Sequence, residues 1–218
     1  SGNIAEKPYT FEAKERTPET DMKVSYTKPS SLAVGQEMDF GTFAADNANG
    51  NWYLTLRVSF GDESETVAEI SAENATDKVM YRPMASGTYT FTLEYRDYTN
   101  EYTDEFDVEV SADGDPILLA EPQLPRYIIK GAQYTLPALN GYTFVNGAAQ
   151  ETPAVLYVTQ TKDYGSAAPV TGNTVTVDED WAECWFTYVL GSAVKQYSVP
   201  VHDVGYGTNS VKIYQYFT

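Results

Sequence analysis

The chain has 218 residues, 31 acidic against 14 basic side chains, one cysteine, one histidine and a formal net charge of −17. Binding phosphate takes clustered Lys and Arg; no such cluster exists, and most of the acids fall in residues 1–112, so nucleic acid and anionic membrane surfaces are excluded as partners. A lone cysteine cannot form an intrachain disulfide, and one Cys with one His cannot complete a zinc set.

The 18 Tyr, with frequent Val and Thr, favour strands, and no apolar pattern of helical period runs through the chain. No stretch approaches the roughly 20 apolar residues of a membrane helix, so no membrane insertion is expected. The chain opens Ser1-Gly2-Asn3 without a signal-peptide pattern and reads as a piece of something longer.

Residues 1–20 form a charged lead-in, with Tyr9-Thr10-Phe11 its one strand-like piece. The first unit spans 21–112. Met22, Val24 and Tyr26 alternate with polar partners, Leu32 to Val34 follow Pro29, and Gly35 turns the chain into Met38 to Phe40. Ala44 to Asn51 is rich in Asn and Gly and reads as a loop. Trp52, Leu54, Leu56, Val58 and Phe60 then alternate with Tyr53, Thr55, Arg57 and Ser59, which predicts a central strand with the first set buried. Gly61 to Glu65 reads as a turn, and Val67 to Ile70 and Lys78 to Arg82 as short strands. Gly87 opens the clearest alternation of all, Tyr89 to Tyr95. A turn around Tyr98 to Asn100 leads to Phe106, Val108 and Val110.

Ser111 to Pro116 concentrates Gly, Asp and Pro just after a strand and marks a boundary. A second unit, 117–203, repeats the order of the first. Pro29 and Gly35 recur 96 positions later as Pro125 and Gly131, and Met38 and Phe40 as Tyr134 and Leu136. Ala154 to Val158 takes the place of the central strand, and Val175 to Val177 precede a turn at Asp178 to Asp180. Ala182 to Val189 repeats the Tyr89 to Tyr95 strand, with Cys184, Phe186 and Tyr188 in the places of Phe91, Leu93 and Tyr95. Gln196 to Val201 is the last strand. Residues 204–218 read as a linker and the start of a further element. A repeated β unit of this size predicts an all-β chain of two tandem sandwiches.

Two stretches carry a family resemblance: Val58-Ser59-Phe60-Gly61-Asp62, and Met80 through Gly87-Thr88-Tyr89 to Tyr95. With its Phe-Gly-Asp turn and its Gly-x-Tyr step, the first unit resembles the PKD-like (polycystic kidney disease) branch of immunoglobulin-like sandwiches. It departs from that pattern at Glu63, where the family usually has Gly. The second unit keeps the general layout and resembles a divergent bacterial immunoglobulin-like domain. The resemblance implies two tandem immunoglobulin-like β-sandwiches from a multidomain bacterial surface or secreted protein, where such units act as spacers, adhesive modules or supports.

The catalytic inventory is thin. Any Ser–His or Cys–His pair must use His202, which directly follows the last expected strand. Cys184 lies in an apolar strand without a basic neighbour and reads as a core thiol. Calcium is the one metal the composition leaves open, because it takes carboxylate and carbonyl oxygens from loops. Asp62 to Glu65, Asp113 with Asp115, and Asp178 to Asp180 are the stretches that offer them, and Asp113 and Asp115 stand at the boundary; none fits the Asp-x-Asp-x-Asp-Gly loop, and solvated turns are the plainer reading. No other cofactor is implied, and Gly205-Tyr206-Gly207 lacks the third glycine of a phosphate loop. Asn74-Ala75-Thr76 fits the glycosylation triplet, which matters only in a eukaryotic secretory route.

Tyrosines are the remaining handle. Among Tyr53, Tyr98, Tyr102, Tyr142, Tyr164, Tyr206 and Tyr214, the ligand candidates are Tyr98, Tyr102 and Tyr164. The expectation is a monomeric, non-catalytic spacer or protein-interaction module; the alternative is a carbohydrate-binding module acting through exposed tyrosines. About three exposed aromatics gathered on one face would favour the alternative, and dispersed ones the spacer.

Overall fold

The structure, a computed structural model, describes residues 22–160, 168–169, 171–177 and 183–202. The lead-in with Tyr9 to Phe11, Tyr164, the Asp178 to Asp180 turn and the 204–218 segment lie outside the described residues. Two β-sandwich halves follow one another along the chain, and the described residues hold no α-helix, only a 3-10 turn at Thr171–Asn173.

The first half contains nine strands: β1 (Lys23–Ser25), β2 (Leu32–Ala33), β3 (Met38–Gly41), β4 (Ala44–Asp46), β5 (Tyr53–Phe60), β6 (Glu63–Ser71), β7 (Val79–Tyr81), β8 (Gly87–Arg96) and β9 (Glu101–Ser111). One sheet has the order β2-β9-β8-β5-β6; facing it are the pairs β3-β7 and β1-β4. Alternation decides the packing. Trp52, Leu54, Leu56 and Val58 are buried as expected, against Phe91, Leu93 and Tyr95 of β8, while Tyr53 stands 65% exposed on the other face. Phe40 from the facing layer packs on Phe91 at a centroid distance of 5.0 Å, and Phe106 stacks on Phe91 at 5.6 Å.

The second half contains β10 (Ile128–Ile129), β11 (Gln133–Thr135), β12 (Asn140–Val145), β13 (Ala148–Pro153), β14 (Val155–Gln160), β15 (Ala168–Pro169), β16 (Thr174–Thr176), β17 (Glu183–Leu190) and β18 (Ala193–His202). Its main sheet, β10-β18-β17-β14-β15, repeats the first strand for strand, and β11-β16 repeats β3-β7. Even single hydrogen bonds recur. Val34 N donates to Ser111 O at 2.9 Å and Lys130 N to His202 O at 3.1 Å; Gly35 N donates to Pro83 O at 2.9 Å and Gly131 N to Val177 O at 3.1 Å. Gly35 and Gly131, the pair picked out by sequence spacing, both hold the left-handed backbone that favours glycine, with φ of 84° and 73°.

Three details differ from the sequence expectation. Ladder pairing aligns the copies two residues further along than the apolar pattern suggested. Leu32 pairs with Val110 and Ile128 with Val201; Thr88 sits opposite Glu109 and Glu183 opposite Pro200. Cys184 therefore takes the place of Tyr89, Phe186 of Phe91 and Tyr188 of Leu93. Glu63 to Glu65 belong to β6 rather than a turn, because Gly61-Asp62 alone closes a tight hairpin in which Phe60 pairs with Glu63. Ala44 to Asp46, expected as loop, pair with β1.

A fourth element has no counterpart in the first half. The hairpin β12–β13 closes through Asn146-Gly147, both at positive φ (52° and 76°), the geometry of a two-residue type I′ turn.

Candidate functional site

The tip of that hairpin leaves its own unit and docks on the base of the first. Ser86 N donates to Gly147 O at 2.6 Å and Ala149 N to Met84 O at 2.9 Å, so Ala85 and Ala148 form an antiparallel bridge between the units. The Phe144 ring packs against the first core, over Gly35 and Gly114. A side chain on Gly35 would overlap that ring, and a Cβ on Gly114 would fall 2.9 Å from Phe144 Cδ2 and 2.6 Å from Val34 Cγ1. Both glycines thus admit an aromatic ring where any other residue would exclude it. At its base the hairpin is tied to the connecting segment: Ile117 and Tyr142 exchange both backbone bonds at 2.9 Å. Phe144, Ser86, Gly114 and Gly147 make up a clasp that sequence reasoning missed, although Asn-Gly between alternating residues is the strongest short-range hairpin signal.

Asp113 and Asp115 flank Gly114 with exposed side chains. Among the described residues no group of three or more His, Cys, Asp or Glu side chains is placed to hold a metal ion. Asp62 is exposed on its hairpin turn, and Glu63 and Glu65 are carried on β6.

The tyrosines scatter. Tyr98 is 78% exposed at the β8–β9 loop, its ring lying over Gly50. Tyr53 opens β5 on the outer face, opposite Arg96. Tyr102 pairs with buried Tyr95 and so belongs to the inner face, at its edge. Tyr142 is half-buried in the hairpin.

A groove of ≈ 630 Å³ runs between β6 and the segment from β7 to β8, with Phe60, Tyr81, Met84 and Tyr89 on its walls and Glu65 and Arg82 at its polar edge. Burial first, and then the hydrogen bond to Glu65, push the Tyr81 phenol well above its usual range. Arg82 is held by the Gly35 carbonyl and by Glu37 at 2.7 Å, so groove and clasp share a wall.

Cys184 is fully buried in β17, and burial pushes its thiol up to about 12, which removes the thiolate a nucleophile needs. His202 ends β18 at the surface, its ring edge-on to Tyr127 at 5.1 Å. The Asn74 carboxamide is engaged in its own turn: Oδ1 accepts from Ser71 N at 2.7 Å and Nδ2 donates to Glu69 O at 3.0 Å. No helix among the described residues is long and apolar enough to cross a membrane.

No family model matches the chain, and no curated protein matches it. Solved structures similar to it include immunoglobulin and fibronectin-III-like arrays. A chimeric titin Z1Z2 carrying an exogenous decorin peptide is 10% identical over 84% of this chain and 97% of its own, with a TM-score of 0.24. The fibronectin(III)-like modules of Clostridium thermocellum CbhA are 10% identical over 83% of this chain and 94% of theirs, at 0.29. Trypsin-activated alpha-2-macroglobulin from Escherichia coli is 11% identical over 85% of this chain but only 18% of its own length, at 0.33. At these scores none of them bears on what the chain binds or does, and the sandwich assignment rests on the strand order itself.

Proposed function

We propose that the chain is a non-catalytic structural or protein-interaction module, a stiff two-unit spacer within a larger bacterial cell-surface or secreted protein, with the units taken as residues 21–112 and 117–203. The clasp carries this reading. Domains joined by a bare linker move independently by default. Here the connecting segment is paired with a hairpin, and the hairpin is bonded to the neighbouring unit at two backbone positions and seated by Phe144. Those contacts fix an angle between the units, which is what a spacer has to do. The buried thiol of Cys184 and the surface position of His202 fit a role without chemistry. Amide relaxation of the whole chain tests the reading: both units should report one rotational correlation time, and two separate times would sink it.

A second reading is carbohydrate binding. Two strongly exposed tyrosines, Tyr53 and Tyr98, favour it, both at the end of the first unit remote from the clasp. Tyr102 turns to a different face, which places this reading second. A glycan array run with calcium and then with chelator decides. Binding lost on Tyr98→Ala would promote it, binding lost in chelator would make Asp113 and Asp115 ligands, and a clean array leaves the spacer.

A further inference from the structure

The first sandwich is open along one side. β6 ends its sheet, with β5 on one flank and no strand on the other among the described residues, and the groove of ≈ 630 Å³ runs beneath that edge, walled entirely by described residues. The register explains why the groove exists. Leu54 and Leu56 face Ile70 and Ala68 across the two strands, and apolar packing closes the sandwich there. Nearer the hairpin, Val58 and Phe60 face Glu65 and Glu63, so two carboxylates hold inner-face positions that would otherwise extend the core. Glu65 accepts the Tyr81 hydroxyl, and neither Glu63 nor Glu65 forms an ion pair among the described residues. Arg82, the one cation of the groove, is already held by Glu37 and the Gly35 carbonyl. Val58 and Tyr89, both almost fully buried, form the floor. The backbone of this edge is also open. Gly61-Asp62 is a two-residue loop, so Phe60 and Glu63 exchange both backbone bonds, and bonded pairs then alternate with unbonded ones. Val58 with Glu65 is the next bonded pair. Ser64 and Thr66 therefore turn their N–H and C=O groups away from β5, toward the open edge.

Resting on the protein-interaction side of the proposed function, and not on the clasp, we propose that this edge takes up an extended, basic segment of a partner protein. The segment pairs with Ser64 and Thr66 as an added strand and lays an arginine or lysine side chain into the groove, between Glu65 and the aromatic walls. Charge selects the occupant. In an added strand the side chains opposite Glu63 and Glu65 point into the groove, where opposite charges attract and like charges repel. A second copy of this chain would set its own Glu63 and Glu65 against these two, in a protein of net charge −17. Inward-pointing acids that guard the edge against self-pairing are thus the groups that admit a basic strand. A guanidinium or ammonium group is further favoured against the ring faces of Phe60 and Tyr81.

The probe is a capped heptapeptide, Thr-Val-Thr-Arg-Thr-Val-Thr, titrated into the isotope-labelled full chain, with Gln and Glu in place of Arg as its controls. The Arg peptide should shift the amides of Glu63 to Thr66 and slow hydrogen exchange at Ser64 and Thr66. The Gln peptide should bind about tenfold more weakly, and the Glu peptide more weakly still. Glu65→Gln, which keeps an acceptor for Tyr81, should remove the preference for Arg over Gln, whereas Glu105→Gln on the outer face should leave it unchanged. Absence of binding at about 1 mM peptide overturns the inference. So does equal affinity for the Arg and Gln peptides, or a shift without protection at Ser64 and Thr66. Binding that appears only after residues 1–20 are removed would make that lead-in the occupant, and overturns it too. Each of these results leaves the spacer reading standing while the two units share one rotational correlation time. Two separate times beside an Arg-selective, protected edge would remove the spacer and keep the groove.

Discussion

Asp97 holds Asn49 across the open end of the first sandwich: its Oδ2 accepts the Asn49 amide at 2.9 Å, joining positions 48 residues apart. The same carboxylate accepts from the amides of Thr99 and Asn100, the Asn100 side chain and the Tyr95 hydroxyl. Tyr98 presents its ring from a loop organised by this one buried acid.

The acid should make the loop end sensitive to pH. Burial is the largest influence on Asp97 and raises its pKa, but the Asn49, Asn100 and Thr99 donors together outweigh it and hold the carboxyl far below the usual carboxylate range. A folded value below the unfolded one means the contribution is present above the unfolded pKa of about 3.9 and fades as pH drops beneath it. Asp97→Asn should lower the unfolding midpoint at pH 7, and the gap from the natural chain should narrow below about pH 4. Thermal melts at pH 7, 5 and 3 check this; a gap of constant size would show that shape rather than charge matters there.

Leu56 is completely buried between the layers, and its neighbour Arg57 points to solvent. Leu56→Ala should cost roughly 2–5 kcal/mol, the usual range for such a cavity. Arg57→Ala should stay within about 0.5 kcal/mol, since its ion pair with Glu94, at 3.8 Å, is exposed. Denaturant titration of both variants tests which face of β5 is inside.

Gly114 offers a clean probe of the clasp because its backbone is not left-handed; only space forbids a side chain. Gly114→Ala would strike the Val34 carbonyl and the Phe144 ring together. The expected cost is about 1–3 kcal/mol, typical of overpacking, accompanied by separate tumbling of the two units. Asp113→Ala, one residue away and exposed, should change neither. Equal effects from the two substitutions would mean the junction is not packed as described.

Cys184 should be silent to thiol reagents. With burial pushing its pKa up to about 12, the folded chain at pH 8 should react with an aromatic disulfide only as fast as it opens. The folded value lies above the unfolded thiol's, about 8.5, so this group favours the folded state below that pH and its contribution declines as pH rises past it. Labelling that outpaces global unfolding would place Cys184 at a local opening of β17.

Much of the fold could be read in advance, and the failures have physical causes. The alternation of Trp52 to Phe60 and of Tyr89 to Tyr95 reports which face is buried, because side chains change sides at every residue. For the same reason it cannot see a shift of two: matching Cys184 to Phe91 or to Tyr89 leaves the same residues inside, and only the pairing of Glu183 with Pro200 separates the two. The spacing of Gly35 and Gly131 was informative because a left-handed turn constrains residue type more than a strand does. Phe144 went unnoticed as a contact because its partners, Gly35 and Gly114, have no side chains to advertise a socket. Asn146-Gly147 is a hairpin signal that the sequence reading passed over, and even when read a turn signal says nothing about where its tip will rest.

The parallel pairings of β2 with β9 and of β10 with β18 give the chain a mechanical grain. In each sandwich a strand near the start lies beside the closing strand and points the same way. Tension drawn along the chain drives such partners past each other, so their bonds share the load side by side, whereas a hairpin pulled at its open end parts one bond after another. Resistance to pulling is set by the barrier to unfolding rather than by equilibrium stability. A few short backbone bonds at Leu32, Val34, Ile128 and Lys130 therefore weigh more in a chain under load than their number suggests in a test tube.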